Sequence, residues 1–314
     1  MNYTLHQLRI FHKISETQSV TKTAEELHLT QPAVSIQLKN FQQQFPMDLT
    51  EVVGRQLYLT DFGKDIAQLS ARILEEVDSI DHRIKSFGGQ LAGRLKIAVV
   101  STGKYVMPYF LSTFMEENPG VDLEMDVTNK SRVVEALENN EVDFALVSVL
   151  PKHLPINTVT LMGNVLHLVG KKGAVPQNFF ETPGSLEAVS WLFREPGSAT
   201  RAAMETYLKE KQIRIQKKIE LTSNEAVKQS VLAGLGFSIM PLIGIKNELN
   251  AGDLIVYPCT DLPLITTWNL VSLRSKKFSP VAQAYLDYIQ ENKTGIISDA
   301  FSWYERRSGI TNKS

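Results

Sequence analysis

Two short stretches of this sequence carry side chains suited to holding a small anion. Ser101, Thr102 and Lys104 follow an apolar run at 95–100, and Ser198, Thr200 and Arg201 follow Pro196-Gly197. Hydroxyls, amide N–H groups at the start of a helix and a nearby cation together can neutralise and hydrogen-bond an oxyanion. Asn129 and Ser148 end two further extended segments and could contribute to the same cleft, while Phe237 either lines its apolar wall or belongs to the core. Taken singly, each of these polar groups is more often a plain N-cap. Their recurrence at matching points of a repeating pattern is what favours a ligand.

No catalytic constellation accompanies them. The histidines at 6, 12, 28, 82, 153 and 167 lack metal-ligand spacing, and no Gly-x-Ser-x-Gly elbow occurs. Gly234-Leu235-Gly236 lies between a helical segment and a strand, the reverse of a dinucleotide fingerprint. The single cysteine, Cys259, permits no intramolecular disulfide, in keeping with a reducing cytoplasm. The expectation is a binding protein with no enzymatic activity, no metal and no cofactor beyond a small anionic ligand.

The first 60 residues suit a different chemistry. Apolar positions recur every three or four residues at Leu5, Leu8, Phe11, Ile14, then Val20, Ala24, Leu27, then Val34, Leu38, Phe41, which predicts three short helices. Thr4 with Gln7 has capping-box spacing, Ser19 and Thr30 stand at N-cap positions, and Pro32 falls in a first turn, where its missing N–H costs nothing. Only residues 28–30 separate the second and third helices, the spacing of a helix-turn-helix. Thr30, Gln31, Ser35, Gln37 and Lys39 form a polar face opposite Val34, Leu38 and Phe41, and Gln and Ser can reach base edges in a major groove. Residues 49–59 read as a two-stranded wing turning at Gly54-Arg55.

A long helix is predicted over 61–87, with a narrow apolar seam at Ile66, Leu69, Ile73, Val77, Ile80, Ile84 and Phe87. Such a seam predicts pairing with a second copy; the alternative is a helix lying on its own domain. From residue 93 onward strands and helices alternate, implying a mainly parallel sheet and, by count, two α/β lobes. The pattern does not place residues 298–314.

Composition bounds the reading. The chain has 314 residues, 33 Lys+Arg against 34 Asp+Glu and 43% apolar residues, which excludes a disordered or fibrous chain and suggests two or three domains. No apolar run approaches the roughly 18 residues of a membrane helix, and the N-terminus lacks a basic region followed by an apolar stretch, so a cytoplasmic location without membrane contact is expected. Within 1–60, five cations (Arg9, Lys13, Lys22, Lys39, Arg55) balance five anions (Glu16, Glu25, Glu26, Asp48, Glu51). A neutral DNA module has a weak phosphate term and predicts a shallow salt dependence of binding.

The order and spacing of several segments resemble LysR-type transcriptional regulators. These are Gln7-Leu8-Arg9-Ile10-Phe11, Ala24-Glu25-Glu26-Leu27, Thr30-Gln31-Pro32-Ala33-Val34-Ser35, and Arg55 followed by Leu59-Thr60. Farther on, Arg194-Glu195-Pro196-Gly197-Ser198-Ala199-Thr200-Arg201 and Gly234-Leu235-Gly236-Phe237-Ser238-Ile239-Met240-Pro241 are similar to that family's effector domain, with the sulphur-assimilation and RuBisCO-operon branches most alike. The resemblance runs from about residue 3 to 292. It implies a winged helix-turn-helix at 1–60, a linker helix at 61–88, and a periplasmic-binding-protein-like effector domain. Lobe I of that domain would comprise 91–164 and 269–294, and lobe II 165–268, with chain crossings near 163–168 and 266–270 and a C-terminal tail at 295–314. It also implies base and groove contacts by Gln31, Pro32 and Ser35, phosphate contacts by Thr21 and Thr30, and a wing contact by Arg55. The implied partners are a double-stranded operator, a homodimer assembling further to a tetramer, a small anionic metabolite and RNA polymerase, in an activator. Rival readings are a solute-binding protein or a small-metabolite enzyme on a related two-lobed fold. Phe41-Gln42 stands where the family has Leu-Glu, Phe45-Pro46 where it has Leu-Gly, and Thr50 and Val52 replace the wing's Phe and first Arg, removing one phosphate-binding cation.

Overall fold

The computed structural model describes residues 3–54, 56–86, 90–182 and 184–308 and divides into two compact units, Met1–Gln90 and Leu91–Ser314. In the first, α1 (Leu5–Thr17), α2 (Val20–Glu26) and α3 (Gln31–Gln42) precede an antiparallel wing, β1 (Thr50–Val53) and β2 (Gln56–Leu59), and then α4 (Asp61–Ser86). The expected caps form. Thr4 and Gln7 complete a reciprocal box (Gln7 N to Thr4 Oγ1, 3.2 Å; Thr4 N to Gln7 Oε1, 3.0 Å), Ser19 Oγ accepts from Lys22 N (3.3 Å), and Thr30 Oγ1 accepts from Ala33 N (3.4 Å). Leu8, Phe11, Ile14, Val34, Leu38 and Phe41 close one core between the three helices.

The departures from the family pattern support one another here. Phe41 and Phe45 pack edge to face at 5.0 Å, with Phe11 5.2 Å from Phe41 and Phe62 6.0 Å from Phe45. Thr50 Oγ1 donates to Gln42 Oε1 at 2.6 Å, tying the first wing strand to the end of α3. Two atypical residues thus satisfy each other, and the wing keeps its place without the family's phenylalanine.

Helix α4 has two working faces, where the sequence pattern shows one. Gly63, Ala67, Ser70 and Leu74, spaced 4, 3 and 4, are buried, the last three on the face turned toward the helix-turn-helix core. Gly63 is required there, because a Cβ would fall 1.9 Å from the Leu49 carbonyl oxygen. The apolar seam lies beside it on the cylinder: Leu69, Ile73 and Ile80 are exposed, Val77 is half-buried, and Ile66 packs partly against the helix-turn-helix core. The helix therefore lies on its own domain and still presents an uncovered seam. The Ile84 side chain and Phe87 lie outside the described residues, as does Arg55.

The second unit begins with β3 (Ala92–Val100), α5 (Met107–Glu117), β4 (Gly120–Thr128), α6 (Lys130–Glu138) and β5 (Phe144–Val147). Strands β4 and β5 flank β3, both parallel to it, in register at Val99↔Leu146 and Val99↔Val127. The long β6 (Ile156–Lys171) leads into β7 (Ser190–Arg194), α7 (Ala199–Glu210), β8 (Lys217–Leu221), α8 (Asn224–Leu232), β9 (Ser238–Pro241), α9 (Lys246–Ala251) and β10 (Leu254–Val256). Then β11 (Leu264–Leu273) returns antiparallel along β6 from Leu264↔Leu166 to Leu273↔Ile156, with a register shift between Trp268 and Asn269. Strand β11 also pairs with β5, while β9 and β10 pair with β6, so these two strands run through both lobes. Strands β7 and β8 are parallel, and a bridge between Trp191 and Phe237 links β7 to β9.

The final helix is longer than the sequence pattern indicates. It runs as α10 (Pro280–Ser308), so residues 295–308, set off above as a tail, are its second half. Ile297, Phe301 and Tyr304 are buried in the core, Phe301 stacks 6.1 Å from Phe110, and Tyr304 Oη accepts a hydrogen bond from Val165 N at 2.7 Å. Gly295 in mid-helix and the polar Asn292-Lys293-Thr294 break the apolar period, which hid the continuation.

Candidate effector cleft and nucleic-acid interface

Helices α2 and α3 carry the predicted DNA-facing residues that are described. Thr21, Thr30, Gln31, Pro32 and Lys39 are exposed, and Ser35 is half-buried. Gln37 is turned toward α1, its Oε1 accepting from Gln7 Nε2 at 3.2 Å. The outward stripe of α3 is therefore Pro32, Ile36, Lys39, Asn40 and Gln43, spaced 4, 3, 1 and 3. One cation of the module is already engaged, since Lys13 pairs with Glu16 (2.6 Å) and Glu26 (3.2 Å), and these contacts hold its ammonium above the ordinary lysine pKa.

In the second unit the candidate anion groups collect at the carboxyl ends of the strands, where open α/β sheets place ligands. Ser101 and Thr102 follow β3, Ser148 follows β5, Asn129 follows β4 and caps α6 (Oδ1 accepting from Arg132 N, 3.1 Å), and Ser198 caps α7 (Oγ accepting from Arg201 N, 3.4 Å). The plain N-cap role thus holds for Asn129 and Ser198, and Thr200 is half-buried in the first turn of α7. Thr102 is buried, and Lys104 stands 5.1 Å over the Tyr105 ring. Phe237 sits in the second lobe's core, 5.0 Å from Phe180 and 5.4 Å from Tyr257, because its bridge to Trp191 just before β9 turns it inward rather than to the cleft.

The centre of the arrangement is Arg194, the last residue of β7 and only 4% exposed. Its guanidinium donates to both carboxylate oxygens of Glu195 at 2.7 Å, to Asn224 Oδ1, and to Ser101 Oγ at 3.2 Å. Ser101 in turn donates to the Thr128 carbonyl (3.2 Å), so one buried cation joins groups from both lobes. The Asn224 Nδ2 is buried and has no hydrogen-bond partner among the described residues. A buried donor left unpaired beside a fixed cation is a costly arrangement that an acceptor would relieve. Sequence reasoning missed Arg194 and Asn224; the available signal was a charged residue ending the apolar run Trp191-Leu192-Phe193, which required a partner.

Arg201 is engaged differently. Its side chain pairs with Glu205 (2.7 Å) and Glu220 (2.8 Å) and donates to the Arg194 carbonyl (3.0 Å); burial opposes the charge, but the two carboxylates outweigh it and raise the Arg201 pKa, while Arg201 and Lys218 lower that of Glu220. Beside it a cavity of about 720 Å³ opens between the starts of α6 and α7, lined by Lys130, Ser131, Lys152, His153, Ser198 and Arg201 among others. Lys130 and Lys152 carry no ion pair among the described residues. Gly197, at φ 86°, lets the lobes approach here, since a Cβ would lie 2.8 Å from Ser131 Oγ. Among the described residues, no group of three or more His, Cys, Asp or Glu could hold a metal ion, and no helix is long and apolar enough to cross a membrane.

A winged helix-turn-helix followed by a two-lobed α/β binding unit defines a DNA-binding regulator. Residues 5–64 match the family described as "Bacterial regulatory helix-turn-helix protein, lysR family", and residues 88–294 match the LysR substrate binding domain. The chain belongs to the LysR family of transcriptional regulators. It is 35% identical over 291 residues to the HTH-type transcriptional activator CmpR of Synechocystis sp. (strain ATCC 27184 / PCC 6803 / Kazusa), covering 92% of this chain and 95% of that protein. It is 33% identical over 294 residues to the RuBisCO operon transcriptional regulator of Allochromatium vinosum, covering 92% and 96%. Among solved structures it is similar to the Synechocystis PCC6803 CcmR regulatory domain in complex with 2-PG (29% identity, TM-score 0.59, 63% of this chain and 95% of that one). Full-length CbnR with its target DNA shares the fold at 20% identity (TM-score 0.64, 92% and 99%).

Proposed function

We propose that this regulator senses a small anionic metabolite held around Arg194 and converts its binding into a changed assembly on operator DNA. The observation that carries the reading is the buried Arg194 guanidinium with the unpartnered Asn224 Nδ2 beside it and Ser101 across the lobes. An incoming anion would exchange with the Glu195 carboxylate on Arg194 and accept from Asn224, with Ser101, Thr102 and Ser148 lining its entry. Arg194 then takes the part that the sequence assigned to Arg201, whose charge is spent on two carboxylates. Lys130 and Lys152, which line the neighbouring cavity beside Arg201, add a positive field that attracts an anion. The CcmR regulatory domain, similar to the second unit, was solved with 2-PG, which makes 2-PG a first probe.

Two copies paired along the α4 seam would offer two recognition helices to half-sites about one helical turn apart. Pairs of such dimers, an altered angle between the lobes on ligand binding, and contact with RNA polymerase complete an activator's cycle, in which the ligand selects between assemblies. The location that follows is the cytoplasm. The test is a thermal-shift series on the full-length protein with sulfate, inorganic phosphate and 2-PG. At least one should raise the melting temperature of the wild type, and Ser101→Ala and Arg194→Gln should abolish that rise. An unchanged rise in both variants moves the site elsewhere.

A further inference from the structure

We infer that Ile36 reads thymine, its side chain packing on the C5-methyl group of a thymine in the major groove and so setting part of the operator preference. Ile36 is 57% exposed in mid-helix on α3, whose apolar neighbours Val34, Leu38 and Phe41 are all buried. Helical periodicity puts it at the centre of the outward stripe, one turn beyond Pro32 and one turn before Lys39 and Asn40. An isoleucine held there gains nothing for the folded module, and its stiff, β-branched side chain presents a fixed apolar surface. In duplex DNA the one apolar group on a base edge is the thymine methyl, and only the major groove displays it.

The surroundings favour this occupant. Gln31 and Ser35 flank Ile36 on the same helix and can bond the neighbouring base edges, while Lys39 is exposed on the same stripe. The module carries no excess of cations, and Lys13 is already paired, so the phosphate contribution is small and groove contacts must supply more of the affinity. Wing strand β1 shows the same character, with Val52 and Val53 exposed.

The experiment uses full-length protein and an operator recovered from a random-sequence duplex library. Each thymine of a half-site is replaced in turn by deoxyuridine, which deletes the methyl and leaves base pairing intact. At one thymine per half-site, wild-type binding should weaken about fourfold, the equivalent of one methyl group returned to water. Ile36→Ala should bind the thymine and deoxyuridine operators equally, and Ile36→Val should keep an intermediate preference. Because the residue is exposed, these variants should melt with the wild type, which a melting curve checks. Equal wild-type binding to every deoxyuridine operator, or an undiminished thymine preference in Ile36→Ala, overturns the inference.

Discussion

The two faces of α4 predict that association and folding can be separated by substitution along one helix. Ile73 and Ile80 are 39% and 56% exposed, whereas Leu74 beside them is buried against the helix-turn-helix core. Fully burying an isoleucine is worth about 1.5–3 kcal/mol, so the exposed remainder is about 1 kcal/mol each and about 4 kcal/mol over both residues in a two-fold pair. Ile73→Asp with Ile80→Asp should therefore raise the dimer dissociation constant at least about a thousandfold, with charge repulsion adding to this. The same change should leave the intrinsic stability of the first unit nearly untouched. Leu74→Ala should do the opposite, costing about 2–5 kcal/mol of folding stability through its cavity while sparing association. Sedimentation velocity across a concentration series, with melting curves on the same samples, reads both effects. Dimers that persist in the double variant at wild-type concentrations would refute the seam, and dissociation by Leu74→Ala without loss of stability would refute the division of faces.

Three further outcomes follow from individual contacts. Tyr304→Phe leaves the Val165 N–H buried without an acceptor, at a cost of about 1–3 kcal/mol, and for a unit of this size calorimetry should find its melting point lowered by about 2–12 °C. His167 lies in β6 with its pKa lowered by burial, and its Nε2 has no hydrogen-bond partner among the described residues. The unfolded chain thus takes up a proton below pH about 6.5 that the folded one resists. Stability should fall as pH drops through that value, and chemical denaturation at stepped pH should show a shallower fall in His167→Gln. Residues 1–60 are net neutral, so operator affinity per subunit should decline only shallowly with salt, each phosphate neutralised contributing about 0.9 to the log–log slope. A steep slope in a salt titration of operator binding would contradict that reading.

The parts of this protein legible in its sequence are those governed by local periodicity and capping. Thr4, Ser19, Thr30 and Ser198 cap the helices expected of them, because the choice of Ser or Thr three residues ahead of a donor is a local matter. The exposed seam of α4 was visible for the same reason. Its packed face was not, because Gly63, Ala67 and Ser70 are too small to mark an apolar stripe, and the Leu49 backbone pressed against Gly63 is a contact from outside the helix. Arg194 and Asn224 carry no local signal of their role, since it comes from the meeting of Arg194 with Asn224, 30 residues away in sequence, and with Ser101, 93 residues away. The ion pairs of Arg201 are not legible locally, because Glu205 lies on the next helical turn and Glu220 on another strand. The exposure of Ile36 is not legible either, because an apolar residue in mid-helix on α3 has the same local signature as the buried Val34 and Leu38.

The central claim is that anion binding around Arg194 and operator binding by α3 are coupled. Coupling between sites is reciprocal, so it must appear in the affinity for the ligand itself. Isothermal titration calorimetry of the anion that raises the melting temperature, into free protein and into the operator complex, measures it directly. The account predicts dissociation constants that differ by about fivefold or more between the two titrations, with the difference abolished in Arg194→Gln along with binding. Equal affinities in the presence and absence of operator would contradict it.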